Sequence, residues 1–268
     1  MGIVNTTPDS FSDGGQFASP AAAIDQCRRL IDEGADILDI GGESSRPGAQ
    51  PVSLDEERRR VLPVLEAVLA IGHPVSIDTT KPALMTDALA LGVDIINDIH
   101  ALQAPGALDA VAAHAACGVC LMHMEGDPPT MHSQACYTDV VADIRSMLQG
   151  RLTALTARGV AADRIVLDPG IGFGKTVAHN VELLRRQREL LALGRPLLVG
   201  WSRKSTLGVL TGRAVGERLS ASLAAALAAV VRGASIVRVH DVAATVDALK
   251  VWRAAGLPIT PLTLEDLR

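Results

Sequence analysis

The 268-residue chain is poor in aromatic side chains: one Tyr, three Phe and two Trp stand beside a hydrophobic fraction of 48%. That excludes an aromatic-filled sandwich core. The interior must be built from Leu, Val, Ile and Ala, which suit parallel strands covered by helices. Cysteine is also scarce. Cys27, Cys117, Cys120 and Cys136 are too few to form a disulfide scaffold in a chain this long. Cys117 and Cys120 have the spacing of half a zinc site, but no second pair answers them, and their strand-like surroundings read as buried thiols. There is no signal peptide and no uncharged apolar run of about 18 residues. The alanine-rich stretch from Ser220 to Val231 is shorter than a membrane span and reads as a helix lying on a sheet. A cytoplasmic protein with no membrane partner is expected. Excess positive charge is missing too: the formal net charge of -5 gives no reason to expect nucleic acid as a partner.

What is present is an alternation of short apolar strands with periodic helical stretches from one end to the other. Strands are predicted at 2–4, 37–40, 75–78, 95–97, 119–122, 165–168, 197–199 and 236–239. Helices are predicted at about 20–33, 55–70, 81–91, 105–115, 138–158, 179–192, 215–232 and 242–255. Ala23, Ile24, Cys27, Leu30 and Ile31 make the apolar stripe of the first helix. Asp55, Glu56 and Glu57 favour the positive end of the second helix dipole. Eight such units predict an α/β fold, a single (β/α)8 barrel domain over 1–268. A doubly wound sheet is disfavoured because Asn5-Thr-Thr-Pro8, not a glycine-rich turn, follows the first strand. That strand is very short, so an N-terminally shortened barrel with a weakly plugged bottom is expected.

Polar residues stand at nearly every strand end: Asn5, Asp39 with Glu43, Asp78, Asn97, His123, Asp168, Ser202 with Arg203 and Lys204, and Arg238 with His240. In a barrel these ends surround one mouth. Any one of them has a plainer reading. Asp78, ahead of Thr79, Thr80, Lys81 and Pro82, is as consistent with a helix cap as with a site. His73, His114 and His179 read as surface or packing residues. Taken together, the set points to a polar site. Asp78, Asn97, Asp168 and Lys204 have the donors and acceptors to read the edge of a flat heterocycle. Asn5, Ser202, Arg203, Arg238 and His240 come from the first, seventh and eighth strands, a region where barrels hold phosphate, and Arg238 offers a rigid fork of donors.

Two glycine-rich segments follow the second and sixth strands, 41–48 and 168–175. The second superficially resembles a phosphate loop, but Pro169 occupies a position that loop gives to glycine, so an ATP-binding P-loop is rejected. The glycines serve at least as tight turns. Phe173, flanked by glycines, is expected to have little to pack on except a ligand face.

These residues fall in motifs that together resemble bacterial dihydropteroate synthases along nearly the whole chain. The motifs are Gly2-Ile-Val-Asn-Thr-Thr-Pro-Asp-Ser-Phe-Ser-Asp-Gly-Gly15, Asp39-Ile-Gly-Gly-Glu-Ser-Ser-Arg-Pro-Gly48, Ser76-Ile-Asp-Thr-Thr-Lys-Pro82 and Ile96-Asn-Asp-Ile99. Met122-His-Met124, Leu167-Asp-Pro-Gly-Ile-Gly-Phe-Gly-Lys175, Val199-Gly-Trp-Ser-Arg-Lys-Ser205 and Val237-Arg-Val-His-Asp241 complete the series in the expected order.

The resemblance implies a pterin-binding barrel enzyme, commonly a homodimer. It joins 6-hydroxymethyl-7,8-dihydropterin diphosphate to p-aminobenzoate with Mg²⁺ present, releases pyrophosphate, and is inhibited by sulfonamides. It implies a pterin set of Asp78, Asn97, Met122, Asp168, Gly200 and Lys204, and diphosphate anchors Asn5, Arg238 and His240. Phe11, Ser45, Arg46, Phe173, Lys204 and Ser205 would frame p-aminobenzoate, and Asn5 with Asp13 would hold the metal. Catalytic roles fall on Asn5, Asp78, Asp168, Lys204, Arg238 and His240. Ser45 stands where the family usually has Thr, Thr80 where Ser is common, and His100 where Arg is common. A methyltetrahydrofolate-dependent methyltransferase would need no diphosphate anchors, and a non-catalytic pterin-binding paralogue would be expected to lack part of this set.

Overall fold

In the computed structural model, residues 1–7, 20–45, 49–126 and 136–257 are described. Eight parallel strands form one sheet in sequential order: β1 (Gly2–Asn5), β2 (Leu38–Gly41), β3 (Val75–Asp78), β4 (Ile95–Asp98), β5 (Gly118–Met122), β6 (Ile165–Asp168), β7 (Leu197–Val199) and β8 (Ala234–Val237). The sheet closes on itself. Gly2 bridges Val239 in parallel, with Ile3 N donating to Val239 O at 3.0 Å and Val239 N to Met1 O at 3.0 Å. This is the predicted (β/α)8 barrel.

The helices are α1 (Pro20–Asp32), α2 (Leu54–Leu69), α3 (Pro82–Leu91), α4 (Ala107–Ala112), α5 (Val140–Ala157), α6 (Val177–Arg185), α7 (Ser205–Thr211), α8 (Leu219–Val231) and α9 (Val242–Ala254). Local chemistry starts several of them. Ser53 caps α2 by accepting from Glu56 N, and Thr176 and His179 form a reciprocal capping box on α6. The sequence reading differs in several places, among them the stretch predicted at 215–232, which is a 3-10 turn over Val215–Glu217 followed by α8. Helix α7 was not predicted, because Gly208 and Gly212 interrupt any apolar stripe. The stretch predicted as helix at 179–192 is α6 followed by a 3-10 turn over Gln187–Leu193. Strand β8 begins and ends two residues early. Its register skips Ser235 between the Leu197–Ala234 and Leu198–Ile236 pairs, a bulge that turns Ile236 and Arg238 inward.

Strand alternation makes two cores. Val4, Leu38, Ile40, Val75, Ile77, Ile96, Leu121, Leu167 and Val199 pack outward against the helices in one continuous buried cluster. Each fully buried Leu or Ile there contributes about 1.5–3 kcal/mol. Inside the barrel a smaller cluster of Met1, Cys120 and Leu198, with Ile37, Val166 and Ile236, fills the lower end. Met1, Cys120 and Leu198 are buried there and Ile37, Val166 and Ile236 partly buried, so the plug is small, as the short first strand led one to expect. Cys27, Cys117 and Cys120 are buried free thiols, as expected.

Candidate active site

Three of the inward positions one pleat above the lower cluster are polar, while Met122 stands above Cys120 and Gly200 above Leu198. Ile37 gives way to Asp39, Val166 to Asp168 and Ile236 to Arg238, each two residues on and so about 6.7 Å further up the barrel. Asp168 and Arg238, with Asp39 buried beneath them, belong to the floor of a cavity of about 600 Å³ lined by Asn5, Asp78, Asn97, Asp168, Lys204 and Arg238, among others. Of the residues named from the sequence, Ser45, Met122, Phe173, Gly200, Ser205 and His240 also line it. Phe11, Asp13 and Arg46 lie outside the described residues.

Arg238 organises the floor. Its Nε donates to Asp39 Oδ2 at 2.6 Å and its Nη2 to Asp78 Oδ2 at 2.9 Å. Asn97 Nδ2 donates to the same Asp39 oxygen at 3.0 Å. Two carboxylates thus share one guanidinium. Burial raises the pKa of Asp78, opposed by Arg238 and reinforced by Asp39. Burial disfavours the charged form of Arg238, but Asp39 and Asp78 outweigh it and hold the guanidinium charged. Asp78 does not cap α3: Lys81 stands at that cap, so the plainer reading of this aspartate is set aside. Arg238 also joins the two groups of residues that the sequence separated, since it belongs to the floor as much as to the phosphate side.

Asp168 is 6% exposed and its Oδ1 accepts from Gly170 N at 2.7 Å. Burial raises its pKa, and Lys204 opposes the shift. Lys204 is pushed down to about 8 by burial, with Asp168 holding it up. The Lys204 ammonium donates to Ile171 O and lies 4.5 Å from the centroid of the Phe173 ring. Phe173 therefore packs on one protein partner, itself a cavity residue, and otherwise faces the cavity, close to the expectation that little besides a ligand would cover it. Asp78 Oδ1, Asn97 Oδ1 and Asp168 Oδ2 accept no hydrogen bond from the described residues, which leaves three oxygens around one floor for a ligand.

Some supporting residues went unassigned in the sequence, while Ser202, read there on the phosphate side, supports His240. Asp39 carried a strand-end mark there but no role, although it lies two positions past inward Ile37 on the same strand face. Ser202 Oγ accepts from His240 N at 3.1 Å and lies 3.0 Å from His240 Nδ1, fixing the imidazole's rotation. The Lys81 ammonium bridges Glu43, on the cavity wall, and buried Glu57. The loop after β6 presses on the end of β5. A side-chain carbon at Gly170 would come within 1.9 Å of His123 O and one at Gly174 within 2.4 Å of Glu125 O, and both residues have positive φ, so only glycine serves at either position. Lys175, at the end of that loop, is buried and bonded to protein groups, in keeping with the rejection of a P-loop.

A closed (β/α)8 barrel with a polar cavity at the C-terminal ends of its strands has the architecture of a barrel enzyme. The family model described as pterin binding enzyme matches residues 1–240. Dihydropteroate synthase of Neisseria meningitidis serogroup B is 55% identical over 263 residues, 96% of this chain and 92% of that protein. The Escherichia coli K12 enzyme of the same name is 47% identical, covering 95% of this chain and 90% of its own. Among solved structures, Xanthomonas albilineans dihydropteroate synthase with 4-aminobenzoic acid has a TM-score of 0.90 at 52% identity, over 96% of this chain and 93% of that one. Yersinia pestis dihydropteroate synthase with a sulfonamide drug has a TM-score of 0.90 at 45% identity, with the same coverage. The chain belongs to the pterin-binding enzymes and, within them, to the dihydropteroate synthases. Its activity is the transferase reaction of folate biosynthesis that condenses 6-hydroxymethyl-7,8-dihydropterin diphosphate with p-aminobenzoate to give 7,8-dihydropteroate and pyrophosphate.

Proposed function

We propose that the cavity divides the two substrates of this reaction by depth. The observation that carries the reading is the set of three unspent oxygens, on Asp78, Asn97 and Asp168, around one buried floor. They match the amino and ring N–H donors of a pterin, and the Lys204 ammonium matches its carbonyl. Met122 and Gly200 flank the ring. Asn5, Arg238 and His240 hold the diphosphate. Arg238 keeps Nη1 unpaired among the described residues after its bonds to Asp39 and Asp78. The arylamine lies against Phe173, Ser45, Ser205 and the Lys204 stem, with Phe11 and Arg46 assigned to it by resemblance. The solved relatives bound to 4-aminobenzoic acid and to a sulfonamide drug support one arylamine site for substrate and inhibitor.

Magnesium fits the donor set. Asn5 supplies an amide oxygen at the cavity wall, and Asp13, carried by the resemblance, supplies a carboxylate. Among the described residues no cluster of three or more His, Cys, Asp and Glu builds a closed cage. A site with few protein oxygens suits an ion that keeps most of its waters and shares substrate phosphate. When bound, it would add positive charge beside the diphosphate.

In the reaction the methylene C–O bond breaks, the electron pair leaves with pyrophosphate, and positive charge spreads into the dihydropterin. Arg238 and His240 stabilise the leaving anion, while Asp78 and Asp168 stabilise the cationic ring. The arylamine nitrogen, neutral at pH 7, forms the new C–N bond and loses its proton to solvent. Holding the amine in line is the main task of its wall.

The exposed apolar side chains Val209, Leu210, Val215 and Leu219, on α7, α8 and the segment between them, support the homodimer the resemblance implies, and sedimentation velocity tests it. Among the described residues no helix is long and apolar enough to cross a membrane.

Calorimetry tests the division of the cavity. Arylamine heat is expected only once pyrophosphate and magnesium are present, with pyrophosphate release in the complete assay. Arylamine binding indifferent to pyrophosphate would overturn the reading.

A further inference from the structure

Three consecutive residues of the loop after β6 are each held by a side chain, two from beyond the loop and one from its own end. Lys204 donates to Ile171 O, Asn180 Oδ1 accepts from Gly172 N at 2.8 Å, and Lys175 Nζ donates to Phe173 O at 2.8 Å. Lys204 lines the cavity, but Lys175 and Asn180 are buried behind its wall, 3% and 1% exposed. Lys175 Nζ also lies 3.0 Å from His123 Nδ1 and 3.3 Å from His123 O. Three acceptors therefore surround a group with three protons to give. Two belong to the end of β5 and one to the loop that carries Phe173, so one ammonium pins the two segments together.

The arrangement is costly. No carboxylate lies within ion-pair distance of Lys175 among the described residues. Burial pushes its pKa down to about 7, and its charge in turn helps burial press His123 down to about 3. A methionine of similar length would fill the volume without a desolvated charge. What it would not do is bond Phe173 O. The Phe173 ring faces the cavity and carries the Lys204 ammonium on it, so a shift of this one carbonyl moves two cavity groups together.

We propose that Lys175 is a positioning residue for the arylamine subsite, fixing the Phe173 ring and the Lys204 ammonium through the Phe173 carbonyl without touching either substrate. This rests on the assignment of Phe173 to the arylamine wall. Asn180 supports the same loop from the far side, since its Nδ2 donates at 2.9 Å to Thr206 Oγ1 on α7, beside Ser205.

The test is steady-state kinetics of Lys175→Met and Phe173→Ala with arylamine varied at saturating pterin diphosphate, and calorimetric pterin affinity as the check on fold. For Lys175→Met the arylamine KM is expected to rise about tenfold, the loss of roughly one charged hydrogen bond, with kcat and pterin affinity within about twofold. Lys175→Gln, which keeps a neutral donor, is expected to recover about half of that loss on a logarithmic scale, and it carries the test if the Met variant does not fold. An unchanged arylamine KM in Lys175→Met, or in Lys175→Gln where that variant carries the test, beside a raised one in Phe173→Ala overturns the role of Lys175. So does a joint loss of kcat and pterin affinity. An unchanged KM in Phe173→Ala instead overturns the assignment of that wall.

Discussion

The two ends of the barrel interior are built by the same strands and follow opposite rules. At the lower end buried Met1, Cys120 and Leu198, with partly buried Ile37, Val166 and Ile236, ask nothing of one another but shape. One pleat higher, Asp39, Asp168 and Arg238 stand directly above Ile37, Val166 and Ile236, and each is tied to a named partner. The lower layer lowers the free energy of the fold. The upper layer carries buried carboxylates that share a single guanidinium, an arrangement that apolar side chains of like volume would replace without loss of stability. Stability and chemistry in this chain are therefore separated by about 7 Å along each strand.

The comparison is broken most severely by Arg238→Ala. The variant leaves Asp39 and Asp78 side by side without their common cation and removes a donor from the leaving group. Turnover is expected to fall by about a thousandfold, on the scale of lost transition-state stabilisation by a charged donor, and pyrophosphate binding is expected to weaken with it. Unchanged kinetics would remove Arg238 from the reaction. The opposite end is probed by Leu198→Ala. Leu198 is 1% exposed, and its truncation is expected to cost about 3 kcal/mol in denaturant unfolding while pterin affinity stays within about twofold. A large loss of affinity there would show that the two layers are coupled.

The smallest effect is one of pH. Lys175 and Lys204 are pushed down to about 7 and about 8 by burial, against about 10.4 for an ordinary lysine in the unfolded chain. Between those values each lysine binds more protons in the unfolded chain than in the folded one, so its contribution to stability rises with pH. Asp78, raised to about 7 by burial, makes a smaller opposite contribution. Below about pH 7 the full cost of burying both lysine charges is present. The midpoint of thermal unfolding is expected to rise by about 2 °C from pH 7 to pH 8.5, and by less in Lys175→Met. Beyond that range buried thiols such as Cys27, pushed up to about 12, act in the other direction, because they ionise first in the unfolded chain. A midpoint that falls between pH 7 and 8.5 would contradict the assignment of these lysines.

The barrel was legible in the sequence because eight short apolar runs recur between periodic helical stretches. The mouth was legible because polar residues recur at the strand ends. Strand pairing aligned Asp78 with Asn97 and Met122 with Asp168, and the cavity gathered the named residues that the structure describes except Asp39 and His123, which are buried behind it. What was not legible depends on contacts between units. Arg238 and Asp39 are 199 positions apart in sequence and meet only because the barrel closes. Lys175 reads as the end of a glycine loop until His123 is seen beside it, and α7 has no periodic stripe because Gly208 and Gly212 interrupt it. The shift of β8 rests on a single bulged residue, Ser235, which strand propensity does not reveal.

The most direct measurement is calorimetric titration of the dihydropterin diphosphate into wild type and Asp168→Asn, with thermal unfolding of both. Asp168 is desolvated, and burial already raises its pKa, so removing its charge is expected to leave the unfolding midpoint unchanged or slightly higher. Pterin affinity is expected to fall by about a hundredfold, because a buried acceptor of the ring is lost. Pterin binding within about twofold of wild type would contradict the claim that the upper layer of the barrel is where this enzyme reads its substrate.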